Sequence, residues 1–240
     1  MPQPLCRGRV IESKALTYDV KQITVRPVVP PQLQFEAGQY ISIEVMETRG
    51  GVSRRNNRPY SIASPPEEKE MIQLCVNLVV GGPGSTYLSR LQVGEEIEFL
   101  YPLGYFTLDE ESQSDLLFVA TGTGIAPLRS MIHHFFNIGS QRKVTLYWGL
   151  RSDRDVYFAD EFRALAENHP TFRFVQTLSQ PTEQWRGARG RVTHHLREEA
   201  GPVEDLEAYL CGNGEMIKEV RQILVDKGMN RKRVHYEKFY

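Results

Sequence analysis

The stretch Asp115–Met131, DLLFVATGTGIAPLRSM, constrains this chain more than any other. Its apolar run Leu116-Leu117-Phe118-Val119 lacks helical spacing and predicts a buried strand. Gly122, Gly124 and Pro127 then turn the chain into an amphipathic helix, with Pro127 expected at the first helical position, where a missing N–H costs nothing. Backbone amides of a Gly-rich turn and the positive end of the following helix can receive an anion without a basic side chain. The turn departs from the usual G-x-G-x-x-G fingerprint because Pro127 stands where the third Gly would be. About 20 residues on, where an acid would hold a ribose 2′-OH, the chain reads Thr145-Leu146-Tyr147-Trp148-Gly149. It is not a P-loop either, since no Gly-Lys-Ser/Thr follows. Nucleotide phosphate binding and a plain strand-to-helix turn of an α/β domain both fit these residues.

The 240 residues are long for one domain and comfortable for two. With 29 Lys and Arg against 30 Asp and Glu, the charge makes no electrostatic case for nucleic acid or an anionic membrane. No apolar run approaches the roughly 20 residues of a membrane helix, and Met1-Pro2-Gln3-Pro4 lacks an apolar signal core, so the expectation is a cytoplasmic protein without membrane insertion. Cys6, Cys75 and Cys211 are odd in number and far apart, which argues against a disulfide framework or a Cys-x-x-Cys metal site. A Cys₄ iron–sulfur cluster needs about four ligands, more than the chain offers.

Short, partly alternating β-branched and aromatic segments predict strands at Arg9–Leu16, Val20–Pro27, Gln39–Val45, Met71–Val79 and Glu95–Tyr101, with one short helix at Thr86–Gln92. This is the pattern of a small antiparallel barrel. Beyond the loop at 109–114, apolar strands alternate with amphipathic helices. They run Leu116–Ala120, Leu128–Ile138, Val144–Trp148, Ala159–Asn168, Phe172–Leu178, Val192–Glu199, Ala208–Cys211 and Glu215–Lys227, implying a doubly wound parallel sheet. The boundary is expected near residue 110, giving domains 1–110 and 111–240.

Two further motifs carry chemistry. Arg58-Pro59-Tyr60-Ser61 is expected at the start of a strand after a polar stretch containing Gly50, Gly51, Ser53, Asn56 and Asn57. It offers a forked cation, a flat ring with a hydroxyl, and a small donor. A planar phosphorylated ligand suits that set, and so does a barrel wall with a solvated Arg. Gly81-Gly82-Pro83-Gly84-Ser85-Thr86 is a second Gly-rich turn opening a helix, read either as an anion site or as a capped hairpin connection. The adjacent pairs His133-His134 and His194-His195 point about 100° apart on helices and cannot chelate one metal together.

These motifs, followed in order by Pro102-Leu103-Gly104-Tyr105-Phe106, Thr121 to Pro127, Cys211-Gly212-Asn213-Gly214 and Tyr236-Glu237-Lys238-Phe239-Tyr240, resemble the ferredoxin–NADP⁺ reductase superfamily over nearly the whole chain. The resemblance implies an N-terminal six-stranded antiparallel FAD-binding β-barrel. After it comes an α/β doubly wound five-stranded parallel sheet for NAD(P), with hydride passing between the two domains. It implies FAD, with FMN the lesser alternative, and NAD(P)H as co-substrate. Arg58 and Pro59, with Gly82, Gly84, Ser85 and Thr86, would hold the flavin diphosphate. Tyr60 would lie on the flavin, and Ser61 would bond near its N5. Thr121, Gly122, Thr123, Gly124 and Pro127 would take the NAD(P) diphosphate, and Cys211 and Gly212 would pack near the nicotinamide. Glu237 would polarise that site, giving Ser61, Cys211 and Glu237 as the catalytic set. The ending departs from the plant-type pattern: Phe239 occupies the stacking position, with Tyr240 one beyond as the alternative. Arg151, Arg186, Arg189 and Arg191 are candidates for a 2′-phosphate, but Ser179 is followed by Gln180 rather than Arg, which leaves NADH and NADPH open.

The activity so implied is an FAD-dependent oxidoreductase passing electrons singly from NAD(P)H to a ferredoxin, a flavodoxin or an oxygenase component. An NAD(P)H:flavin reductase acting on free flavin is the nearer alternative, and a non-catalytic nucleotide-binding subunit the distant one.

Overall fold

The computed structural model describes residues 5–49 and 52–239. Its chain forms two compact units. One comprises the residues through Leu108 together with Arg129–Ile138; the other comprises Asp109–Leu128 and Gly139 onward.

The first unit is a six-stranded antiparallel sheet built from β1 (Leu5–Ala15), β2 (Val20–Val29), β3 (Tyr40–Arg49), β4 (Val52–Ser61), β5 (Ile72–Asn77) and β6 (Glu96–Leu103). Their order is β4-β3-β6-β1-β2-β5, and the sheet curls until Ile62, just past β4, bridges Leu74 of β5. Alternate residues point inward, as period-two patterning requires, so Cys6 and Val10 of β1 meet Ile97, Phe99 and Tyr101 of β6 in one core. A single helix, α1 (Pro83–Arg90), follows β5.

The second unit is a parallel sheet of β7 (Asp115–Thr121), β8 (Val144–Leu150), β9 (Phe172–Leu178), β10 (Ala188–Arg189), β11 (Leu206–Gly212) and β12 (Val234–Lys238), in the order β10-β9-β8-β7-β11-β12. Its helices are α3 (Ala159–Asn168), α4 (Val192–Glu199) and α5 (Gly214–Asp226), together with the first turn of α2 (Ile125–Asn137), whose residues from Arg129 onward belong to the first unit. The strand order reverses between β7 and β11, which makes the carboxyl ends of those two strands the topological switch point where such sheets take ligands. On one face, α4 and α5 bury Leu117, Val119 and Leu210 under Leu196, Val220 and Leu224. Elsewhere Trp148 packs edge-on against Tyr157 and Phe162.

Four expectations need correcting. The parallel sheet has six strands rather than five, because two residues at Ala188–Arg189 add an edge beside β9. Arg58–Ser61 closes a strand instead of opening one: β4 begins at Val52 and includes Ser53, Asn56 and Asn57. The short helix starts at Pro83 rather than Thr86. Pro127 is the third residue of α2, not the first; the amides of the opening turn lack intrahelical acceptors, so a proline is tolerated there as well.

Candidate functional site

In the first unit, the end of β4 and the start of α1 come together. Arg58, Pro59, Tyr60 and Ser61 follow one another along β4, and the pairing with β3 sets Ser61 opposite Tyr40. Gly84 lies against this segment so closely that a Cβ there would overlap the Tyr60 hydroxyl and touch Arg58 Cγ at 3.0 Å. Burial pushes the Tyr60 phenol up to about 12, with the Arg58 charge pulling the other way, so Tyr60 is a neutral donor across the physiological range. Arg58 Nη2 donates to Glu47 Oε2 at 2.7 Å, and Asn56 Nδ2 donates to the same oxygen, also at 2.7 Å. Arg58 Nη1 adds a bond to Asn57 O at 3.1 Å. Since a guanidinium carries about five N–H donors, Arg58 keeps capacity for an anion while anchored.

Helix α1 has no side-chain cap, and Pro83 opens it. The Ser85 hydroxyl, expected as a ligand donor, serves the turn: it accepts from Val79 N at 3.1 Å and lies 3.0 Å from Val79 O. What α1 offers an anion is therefore the amides of Gly84 and Ser85 in its first turn. Val79 and Val80 stand exposed beside that turn. A flat ring, a cation, uncapped amides and adjoining apolar surface fit a planar phosphorylated cofactor such as FAD.

In the second unit, Thr121 to Gly124 lie at the carboxyl end of β7. Gly122 has φ +53° and starts a 3₁₀ turn through Gly124 that runs into α2. A Cβ on Gly124 would overlap the Cys211 carbonyl and come within 2.7 Å of Gly212 Cα, so this turn and the end of β11 sit backbone to backbone. Thr121 Oγ1 accepts from Asn213 N at 3.0 Å, and Trp148 Nε1 donates to Gly122 O at 3.0 Å. Sequence reasoning gave neither Trp148 nor Asn213 a role in the site: Trp148 is a Trp ending an apolar run, and Asn213 stood only as part of the Cys211-Gly212-Asn213-Gly214 motif. Asn213 also caps α5 through Glu215 N and Met216 N.

Cys211 is fully enclosed, and burial together with the nearby Glu237 carboxylate holds its thiol well above the ordinary range. The parallel pairing sets Cys211 opposite Glu237, and Phe239 N donates to Gly212 O at 3.1 Å, which ties the tail to the same strand end. Tyr240 lies outside the described residues. Arg151 Nε donates to Gln180 Oε1 at 3.2 Å. Arg189 spends Nη2 on the carbonyls of Thr182 and Trp185, at 3.0 Å each. The short 3₁₀ turn Gly122–Gly124, which has no side-chain cap and leads into α2, fits a dinucleotide diphosphate. Among the described residues, no group of three or more His, Cys, Asp or Glu could hold a metal, and no helix is long and apolar enough to cross a membrane.

Two known sequence families match successive parts of the chain. Residues 7–108 match the oxidoreductase FAD-binding domain, and residues 118–222 match the oxidoreductase NAD-binding domain. Ferredoxin--NADP reductase B of Sorangium cellulosum is 35% identical over 239 residues, covering 97% of this chain and 96% of that protein. The phenol 2-monooxygenase reductase component DmpP of Pseudomonas sp. (strain CF600) is 31% identical over 98% of this chain, which spans 65% of DmpP. Among solved structures, the Amycolatopsis cytochrome P450 reductase GcoB superposes with a TM-score of 0.87 at 29% identity, over all of this chain and 71% of GcoB.

Proposed function

This chain belongs to the ferredoxin–NADP reductase superfamily, and on that premise we propose that Arg58, Tyr60, Ser61 and the first turn of α1 hold FAD, while Thr121–Gly124 receives NAD(P)H. The protein is an FAD-dependent oxidoreductase that takes hydride from NAD(P)H and gives electrons to a separate carrier. FAD, when bound, supplies acceptance of a hydride and release of single electrons. The residues bind, orient and shield. Arg58, tethered by Glu47, offers its remaining donors to the diphosphate from a fixed position. Tyr60, kept neutral, gives a flat face and a hydroxyl. Ser61, largely buried, presents one hydroxyl at the end of β4.

The observation that carries this reading is the convergence of Arg58, Tyr60 and Gly84 on an uncapped helix start. The domains proposed on this basis are 1–110 for FAD and 111–240 for NAD(P)H. Cys211, Gly212, Glu237 and Phe239 are proposed to line the nicotinamide end, with Phe239 as the stacking ring. Relatives named as the reductase components of phenol and terephthalate oxygenases support an acceptor on another polypeptide: a ferredoxin, a flavodoxin or an oxygenase component.

The test is anaerobic stopped-flow mixing of the purified protein with NADH and, separately, NADPH, followed by candidate ferredoxins and flavodoxins. Flavin that survives gel filtration, bleaches with at least one nucleotide and is reoxidised by a protein carrier is the expected result. Loss of flavin on the column, with turnover of added FMN, would instead make the protein a reductase of free flavin.

A further inference from the structure

Just past the Arg58–Ser61 segment the chain leaves the sheet through Ile62, Ala63 and Ser64, and this exit is buried. Ala63 is 1% exposed and Ser64 is fully enclosed. Gln73 of β5 meets both from within the curled sheet: Ala63 N donates to Gln73 O at 2.7 Å, and Ser64 Oγ accepts from Gln73 N at 3.1 Å. Their two carbonyls turn the other way, and both are met by α2. Arg129 Nη1 donates to Ala63 O at 2.7 Å and to Gln73 Oε1 at 2.9 Å. The buried Ser130 hydroxyl donates to Ser64 O at 2.7 Å. Further along the same helix, His134 Nδ1 and Asn137 Nδ2 hold the two oxygens of Glu67, at 2.5 and 3.0 Å. Ser130, His134 and Asn137 share one helix face at i, i+4, i+7 spacing, so the contacts form one continuous attachment.

We propose that Arg129 and Ser130 are positioning residues for the flavin: by holding consecutive carbonyls at 63 and 64, they fix the backbone that presents the Ser61 side chain. The proposal rests on the reading that Ser61 touches the flavin. Ser61 and Ala63 are separated by a single residue, so a shift at the Ala63 carbonyl reaches Ser61 through two rigid peptide planes. A misplacement of about 1 Å at a reacting centre can cost about 100-fold in rate. Both bonds come from the two N–H groups of one terminal nitrogen, Nη1, held in the guanidinium plane; a lysine ammonium has donors for both acceptors but on a shorter stem without that fixed plane.

The experiment uses Arg129→Met, Arg129→Lys, Ser130→Ala and Ser61→Ala, alone and with Ser61→Ala paired with Arg129→Met. FAD dissociation is followed by flavin fluorescence, the visible flavin spectrum is recorded, and the anaerobic rate of reduction by NAD(P)H is measured. Arg129→Met is expected to weaken FAD binding about tenfold, to change the shape of the visible band, and to lower kcat with KM for NAD(P)H unchanged; Arg129→Lys should recover part of each. Ser130→Ala removes one hydroxyl and should shift the same readouts in the same direction even if Arg129→Met fails to fold. If Arg129 acts through Ser61, the double variant is no worse than Ser61→Ala alone. Losses that multiply in the double variant, or normal FAD affinity and spectrum in Arg129→Met and Ser130→Ala, overturn the positioning role. A Ser61→Ala protein with unaltered spectrum and rate overturns the reading of the flavin site itself, a result distinct from either.

Discussion

At Gly124 the sequence supplies a reason for glycine, close approach of a phosphate, and the structure adds a second. The Cα faces the backbone of Cys211 and Gly212, which cannot rotate away as a side chain tip can. Even Gly124→Ala therefore forces the turn and β11 apart. Overpacking of this kind costs about 1–3 kcal/mol, and for a chain of this size each kcal/mol is worth about 2–4 °C. Calorimetry should show a Tm lower by several degrees, and steady-state kinetics a KM for NAD(P)H raised about tenfold or more, with bound flavin absorbance unchanged. Expulsion of the flavin would mean that the two phosphate sites have been given to the wrong ligands. The identity of Arg58, Tyr60 and Ser61 was legible because three chemically apt residues fall within four positions. The Glu47 carboxylate that anchors Arg58 was not, because it stands on a neighbouring strand and only β3–β4 pairing brings it near.

Elements were legible in proportion to their own hydrophobic pattern. Ala159–Asn168, Phe172–Leu178 and Val192–Glu199 lie where periodicity put them. β4 escaped because VSRRNNRPYS is an edge strand exposed along most of its length, with no alternation to read. β10 and α4 are joined by a histidine whose behaviour can be tested. His195 Nε2 faces Arg189 O and its Nδ1 faces Glu199 Oε1, each at 2.9 Å, so the charged imidazole can donate from both nitrogens. Burial lowers its pKa, but the hydrogen bonds to Glu199 and the Arg189 carbonyl, and the charges of Glu199 and Glu198, outweigh that and raise it above the usual 6.5. Because the folded value is the higher one, the stabilisation is complete below about 6.5 and fades as pH rises through the raised value. Urea unfolding should show the stability gap between wild type and His195→Gln narrowing from about pH 6 to about pH 8; a constant gap would rule out this linkage.

For the molecule as a whole, two separate cores and two ligand assignments make a joint prediction. The first core gathers Ile23, Val25, Ile41, Ile43 and Phe99, and the second has its own set around Leu210 and Val220. A fully buried side chain of this type contributes about 1.5–3 kcal/mol, so each unit has apolar material of its own. FAD at about 100 times its Kd should stabilise the unit that binds it by about 2.7 kcal/mol. Hydrogen exchange followed peptide by peptide should show FAD protecting 52–61 and 82–86, and a nicotinamide dinucleotide protecting 121–127. The opposite distribution would reverse the proposed domain roles.

The sequence by itself determined what is local. The switch from period-two strands to strands alternating with helices near residue 110, the Gly-rich turns at 81–86 and 121–124, and the consecutive Arg58-Pro59-Tyr60-Ser61 all follow from neighbours along the chain, where steric preference and hydrophobic period act directly. Tertiary structure alone decided what depends on partners distant in sequence. β4 and β10 exist because β3 and β9 offer unpaired backbone edges. Gly124 meets Cys211 through the β7–β11 pairing, and the carbonyls of Ala63 and Ser64 are satisfied by residues 66 positions later, on α2. A buried carbonyl must find a donor, but nothing in its own stretch of chain says which one.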